Sequence, residues 1–186
     1  MSTAHQRKKQ PELVRRQLLE VAARLSRREG AGGVTLDAVS QAAGVSKGGL
    51  LHHFPNRMAL LDGLFDHLTA KFDAAIAVEM EKDSVVRGRF TRAYVSLVFA
   101  QQDEDDAESW QVLTMALLSE PLLRARWRQW VSGQAAAFAE TDSSTACQLA
   151  RLTADGLWLA DLIESHDIAR QDRQAMQAHL HTLSLQ

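Results

Sequence analysis

Residues 46–53, Ser-Lys-Gly-Gly-Leu-Leu-His-His, gather a hydroxyl, an ammonium, two adjacent glycines and two imidazoles. Those groups in that order suit recognition of a phosphodiester better than catalysis. Lys47 can reach a phosphate or a guanine edge. Ser46 stands where it caps a helix, and the free amides of that helix start suit a phosphate oxygen. Its hydroxyl and that of Thr35 can also donate to a nucleic-acid backbone. His52 and His53 can hydrogen-bond phosphate, and Arg57 adds charge just downstream. Gly48 and Gly49 each cost about 1 kcal/mol of helix propensity against alanine. A helix kept only for stability would not favour them, whereas glycine helps where a backbone closely approaches a base edge, a phosphate or the preceding helix. The bland alternative is a helical hairpin with no nucleic-acid role. A metal pair at His52 and His53 is disfavoured because adjacent helical positions point about 100° apart.

A second group of residues suits apolar binding. Trp110, Trp127, Trp130 and Trp158 all lie in the second half of the chain. With Phe99, Met115 and Phe138, the tryptophans Trp110, Trp127 and Trp130 are candidates to line a ligand pocket. Ordinary core packing is the competing account of aromatics at helical spacing. The run Asp103-Glu104-Asp105-Asp106 reads as a solvated helix start. Beside aromatics it would also suit a cationic aromatic ligand. The one cysteine, Cys147, excludes an internal disulfide and a cysteine zinc cage. It reads as a small buried residue, since no basic neighbour in sequence lowers its pKa for redox sensing. The cluster Gly30-Ala31-Gly32-Gly33 follows a helix and lacks a preceding strand or a following Gly-Lys-Ser/Thr, so it reads as a helix stop. No Ser/His/Asp, metal-ligand or Walker pattern supports an enzyme, and no metal or cofactor is expected.

The elements that must hold these residues are helices. Strand signals are nearly absent, and about nine helices are expected, giving an all-α chain. Pro11 suits the first turn of a helix striped by Leu13, Val14, Leu18, Val21, Ala22 and Leu25. Thr35 caps a short helix that Gly44 ends, and Ser46 caps the next, which Phe54-Pro55 ends. Two short helices meeting at a glycine turn make a helix-turn-helix, whose second helix reads the major groove. Asn56 caps a long fourth helix. Further helices are expected near 86–101, near 105–119, from Pro121 to Phe138, near 144–164 and from Ile168 to Leu183. The helix near 144–164 mixes small residues with large ones. Leu149, Thr153, Gly156, Leu157 and Ala160, with Met176 and Leu180 of the last helix, are candidates for a four-helix interface across a two-fold axis. Intrachain core is the alternative.

Charge supports the same division. Residues 1–60 hold ten Lys/Arg against four Asp/Glu, while residues 61–186 hold eleven against nineteen. A basic first third on an acidic body is the footprint of a protein that sets one end on phosphates. There is no apolar run of about 18 residues and no apolar core behind the basic start, so neither a membrane span nor a secretory signal is expected, and the cytoplasm is the expected location.

From about Leu13 to Leu64 the sequence resembles the TetR family of transcriptional regulators, most densely over Thr35–Leu60. Leu51 and His52 stand where that family usually carries two tyrosines, whereas His53, Phe54 and Arg57 fit. The resemblance implies a helix-turn-helix DNA-binding domain (1–55) and a helical ligand-binding and dimerisation domain (56–186). It places Thr35, Ser46, Lys47, Gly48, Gly49, Leu51, His52, His53 and Arg57 at DNA-contacting positions. It further implies a homodimer bound to a double-stranded operator and released by a small-molecule inducer. Residues 151–163 resemble the eighth helix of a multidrug-responsive, CgmR-like subgroup, which favours a hydrophobic or cationic aromatic inducer. A transcriptional activator or a ligand-independent DNA-binding protein are the alternatives.

Overall fold

Helix is the only regular structure among the described residues, which in this computed structural model are 11–25, 34–100 and 107–186. Ten helices occur there: α1 (11–25), α2 (Leu36–Ala43), α3 (Lys47–His53), α4 (Arg57–Glu81), α5 (Arg89–Ala100), α6 (Ala107–Ser119), α7 (Pro121–Ala137), α8 (Ala139–Asp142), α9 (Thr145–Leu162) and α10 (Arg170–Leu183). The glycine cluster at 30–33 and the acidic run at 103–106 lie outside the described residues. The expected Pro121–Phe138 helix closes one residue early, and the extra helix is α8, a single turn between it and α9. The chain divides into two compact units, Met1–Ala70 with Asp105–Arg124, and Lys71–Glu104 with Ala125–Gln186. The first of these divisions falls inside α4 and the last inside α7.

In the first unit the helix ends follow local chemistry. The Thr35 hydroxyl accepts the Ala38 amide at 3.1 Å, Ser46 accepts Gly49 at 3.1 Å, and the Asn56 carboxamide accepts Ala59 at 2.8 Å. Gly44 has φ of 64°, the left-handed conformation. Its amide returns to Gln41, and that of Val45 returns to Ser40. This paired closure ends α2 and turns the chain into α3. Leu18, Val39, Leu50, Phe54 and Leu61 are fully or almost fully buried here, each contributing about 1.5–3 kcal/mol by leaving water. Leu13, expected in the α1 stripe, is 65% exposed, and Leu19 takes part in the core instead. Gly63 lies in mid-helix because a Cβ there would stand 2.7 Å from the Phe54 ring.

The second unit is built around α5, whose buried residues run from Phe90 to Val95 and include Leu97 and Val98. A helix buried nearly all round must have its polar groups, here Thr91 and Arg92, satisfied from within the fold. Its first turn is capped from far away: the Asp142 carboxylate accepts the Thr91 amide at 2.7 Å across 51 residues. Buried Arg92 is fully engaged, donating to the Asp83 carboxylate at 2.6 Å, the Val85 carbonyl at 2.6 Å and the Ser184 hydroxyl at 3.2 Å. Ser144 caps α9 through the Cys147 amide at 3.2 Å. Cys147 is buried, its thiol directed at the Ser184 carbonyl at 3.5 Å.

Candidate functional site

The α3 helix presents one solvent face. Leu50 is buried and anchors the inner side, while Lys47, Gly48, Leu51 and His52 are exposed at spacings of one, four and five. Those four side-chain positions therefore share one surface, as a recognition helix requires. Leu51 is 37% exposed, an apolar element on that face. Thr35, Ser46 and Gly49 sit at the flanking helix starts, where the hydroxyls already serve as caps.

The two glycines have different reasons. A Cβ at Gly49 would lie 3.0 Å from a Val45 methyl and 3.2 Å from the Ser46 hydroxyl, so the fold itself favours glycine there. At Gly48 a Cβ would meet nothing within 4 Å. The fold gives no reason for glycine at Gly48, and the position is exposed.

Charge on this surface is arranged as follows. Lys47 pairs with Asp37 of α2 at 2.8 Å, both side chains well exposed. Arg57 donates from Nε to the Val34 carbonyl at 3.3 Å and lies 3.8 Å from the Glu120 carboxylate. It thus ties the start of α4 to the segment before α2. Burial, aided by His52 and by Arg15, pushes His53 below the usual imidazole range. His53 therefore meets neutral pH as an uncharged ring able to donate one hydrogen bond.

The second unit holds a cavity of about 210 Å³. Phe90, Tyr94 and Trp130 form aromatic walls, and Arg151, Leu152 and Asp155 of α9 face it. Of the six residues read as ligand-lining, Trp130 is in this wall. Trp127 stacks on Trp130 at 4.9 Å, and Phe138 stacks on Phe90 at 4.4 Å. Phe99 lies instead at a separate depression bordered by Arg170 and Arg173. Trp110, buried, and Met115, half-exposed, belong to the first unit. Sequence reading missed Phe90, Tyr94, Arg151 and Asp155. The available signal was a pair of opposite charges four residues apart in a helix of mostly small and apolar residues.

The cavity's polar groups are held by α5. The Tyr94 hydroxyl donates to the Asp155 carboxylate. Arg151 donates from Nη1 to the Thr91 hydroxyl and, at 3.2 Å, to the Asp142 carbonyl. Burial raises Asp155 above the ordinary carboxylate range, opposed by the Tyr94 bond and Arg151. Burial and the neighbouring carboxylate raise Tyr94 well above the usual phenol value, so it remains a donor. Trp130 donates its indole N–H to Asp73 at 3.1 Å, and Gln134 donates to the same oxygen at 2.9 Å.

Residues read as a dimer interface divide by exposure. Leu149, Thr153, Gly156 and Met176 face solvent and Ala160 is half-buried, while Leu157 and Leu180 are buried within this chain. Among the described residues no group of three or more His, Cys, Asp or Glu is placed to hold a metal ion. No helix there is long and apolar enough to cross a membrane.

Residues 18–64 match a family model described as bacterial regulatory proteins, tetR family, and residues 88–185 match one described as tetracyclin repressor-like, C-terminal domain. No curated protein matches the chain in sequence. Among solved structures, a TetR-family member from Streptomyces coelicolor A3 is 19% identical with a TM-score of 0.72, covering 91% of this chain and 97% of that one. The multidrug binding protein EbrR complexed with malachite green is 19% identical with a TM-score of 0.70, covering 91% and 96%. A TetR-family chain from Rhodococcus sp. is 20% identical with a TM-score of 0.70, covering 92% and 96%. With an exposed recognition face on a helix-turn-helix and family models matched at both ends, the chain belongs to the TetR family of DNA-binding transcriptional regulators.

Proposed function

We propose that the chain is a dimeric, ligand-responsive repressor that leaves a near-palindromic operator when a small hydrophobic or cationic aromatic molecule binds its second half. Residues 1–55 serve as the DNA-binding domain and 56–186 as the ligand-binding and dimerisation domain. The observation that carries the DNA reading is the α3 face, with Lys47, Gly48, Leu51 and His52 exposed above a buried Leu50. Thr35, Ser46 and Arg57 at the neighbouring helix starts, with Gly49 and His53 of α3, complete the contact set. With two-fold symmetry, the recognition helices meet major grooves about 34–36 Å apart.

The aromatic cavity beside α9 supports the ligand reading. EbrR, of the same fold, is described in complexes with malachite green and with ethidium, which is the chemistry expected of a CgmR-like, multidrug-responsive body. Trp127 and Trp130 act together as a stacked pair at its edge. Leu149, Thr153, Gly156 and Ala160 of α9, with Met176, form the two-fold interface, while Leu157 and Leu180 back it from within the chain. Release requires that the ligand bind the DNA-incompetent arrangement more tightly.

The test begins with the purified chain selecting fragments from genomic DNA, followed by malachite green titration of the complex. A near-palindromic consensus, with affinity lost as the dye binds, is the expected result. Sequence-indifferent binding would overturn the operator reading. Dye binding that leaves operator affinity unchanged would favour a ligand-independent regulator. A reporter that rises rather than falls when the protein is present would show an activator.

A further inference from the structure

The effector cavity carries both signs of charge on one helix face. Arg151 and Asp155 are four residues apart on α9, the spacing at which opposite charges normally pair with each other. Here each reaches across to α5 instead. Arg151 bonds Thr91 and the Asp142 carbonyl from Nη1, with its guanidinium 5.7 Å over the Phe90 ring. Asp155 takes the Tyr94 hydroxyl on Oδ1. Nε and Nη2 of Arg151, and Oδ2 of Asp155, are not used in those bonds. Two opposite charges are thus held apart at the wall of an aromatic cavity.

We propose that this cavity takes a single-ring aromatic zwitterion, its ammonium on Asp155 and its carboxylate on Arg151. The proposal rests on reading the cavity as the effector site and departs from a purely cationic ligand by adding a carboxylate to the aromatic cation. Size sets a lower limit: a cavity of about 150 Å³ holds benzene, so one of about 210 Å³ admits a substituted ring, and its exposed wall residues Val131 and Leu152 leave it open on one side. The walls suit a flat ring, since Phe90, Tyr94 and Trp130 present apolar faces and edges. Charge sets the other limit. A purely cationic ligand would meet the Arg151 guanidinium, and a purely anionic one would meet the Asp155 carboxylate. A molecule carrying both charges satisfies each, the carboxylate of exposed Asp155 and the guanidinium of half-buried Arg151, with charge-assisted hydrogen bonds. Gln134 and Gln148 at the rim add neutral hydrogen-bonding capacity for a polar substituent.

The test uses the full chain and four matched probes: 4-(aminomethyl)benzoate, benzylamine, benzoate and benzyl alcohol. Affinities are measured by calorimetry. The zwitterion should bind at least about tenfold more tightly than either singly charged probe, the return expected of one added charge-assisted contact. Asp155→Asn should reduce the zwitterion to the affinity of benzoate, and Arg151→Gln to that of benzylamine. Arg151→Lys keeps the charge and should keep most of the preference, which guards against a variant that merely misfolds. Equal affinity for the zwitterion and one singly charged probe would overturn the assignment, as would silence to all four. The effector reading fails separately. Zwitterion binding that leaves operator affinity unchanged would keep the ligand class and remove the regulatory role. Operator release by malachite green, with no zwitterion binding, would keep the regulatory role and remove the ligand class.

Discussion

Gly48 separates stability from function at a single residue. Its added Cβ would touch nothing in the chain, so alanine fits without strain and relieves the helix of glycine's entropy. Gly48→Ala should raise unfolding free energy by about 0.5–1 kcal/mol while weakening operator binding several-fold. Urea denaturation and fluorescence anisotropy, run on one preparation, read the two effects. Unchanged operator affinity would remove Gly48 from the contact surface. The neighbouring Gly49 gives the contrast, because a Cβ there presses on Val45 and Ser46. Substitution at Gly49 mixes strain with loss of binding and cannot separate them.

At the scale of elements, long-range capping is the exposed weakness of the second unit. Asp142, buried, satisfies the Thr91 amide and accepts from the Thr141 hydroxyl at 2.7 Å. Asp142→Ala leaves those donors without a partner and should cost about 2 kcal/mol, seen as a lower urea midpoint with far-ultraviolet helicity retained. The α5–α10 contact is sensitive to acid. His181 faces the Ser96 hydroxyl at 3.0 Å, with Gln177, Arg92 and Asp83 around it, and burial followed by Arg92 lowers it from the ordinary 6.5. The unfolded chain therefore takes the proton first, so stability present above about pH 6.5 is lost as pH falls through the lower folded value. Melting temperature followed from neutral to mildly acidic pH should fall, and fall less steeply in His181→Gln. The contrast between these two contacts and the helix starts explains what could be read from the chain alone. Thr35, Ser46, Asn56 and Ser144 act three residues ahead, within any reader's window. Asp142 acts across 51 residues, and Gly63 answers to a ring on another segment. The recognition face was legible because one short helix contains it. The cavity was not, because its walls come from α5, α7 and α9, and only packing decides which faces meet.

At the scale of the whole molecule, association and the search for DNA are both questions of surface. Leu149 on α9 is 52% exposed, an apolar cost for a solitary chain. Leu149→Asp should leave the fold's helicity intact and shift light-scattering mass toward the monomer. Dimer mass that is unchanged would move the interface elsewhere. The basic first third draws the protein to any DNA, whatever its sequence. The Lys47–Asp37 pair works against that pull. In the free protein the lysine already has a counterion, covalently tethered and always at hand. A passing phosphate must displace Asp37 to reach it, and only a site that also offers the right base edges repays the exchange. With Lys47 proposed as a phosphate contact, the pair predicts shorter residence on wrong DNA. Asp37→Asn should tighten binding to random-sequence DNA more than to the operator and slow the arrival at the operator when competitor DNA is in excess, a change that stopped-flow anisotropy would register.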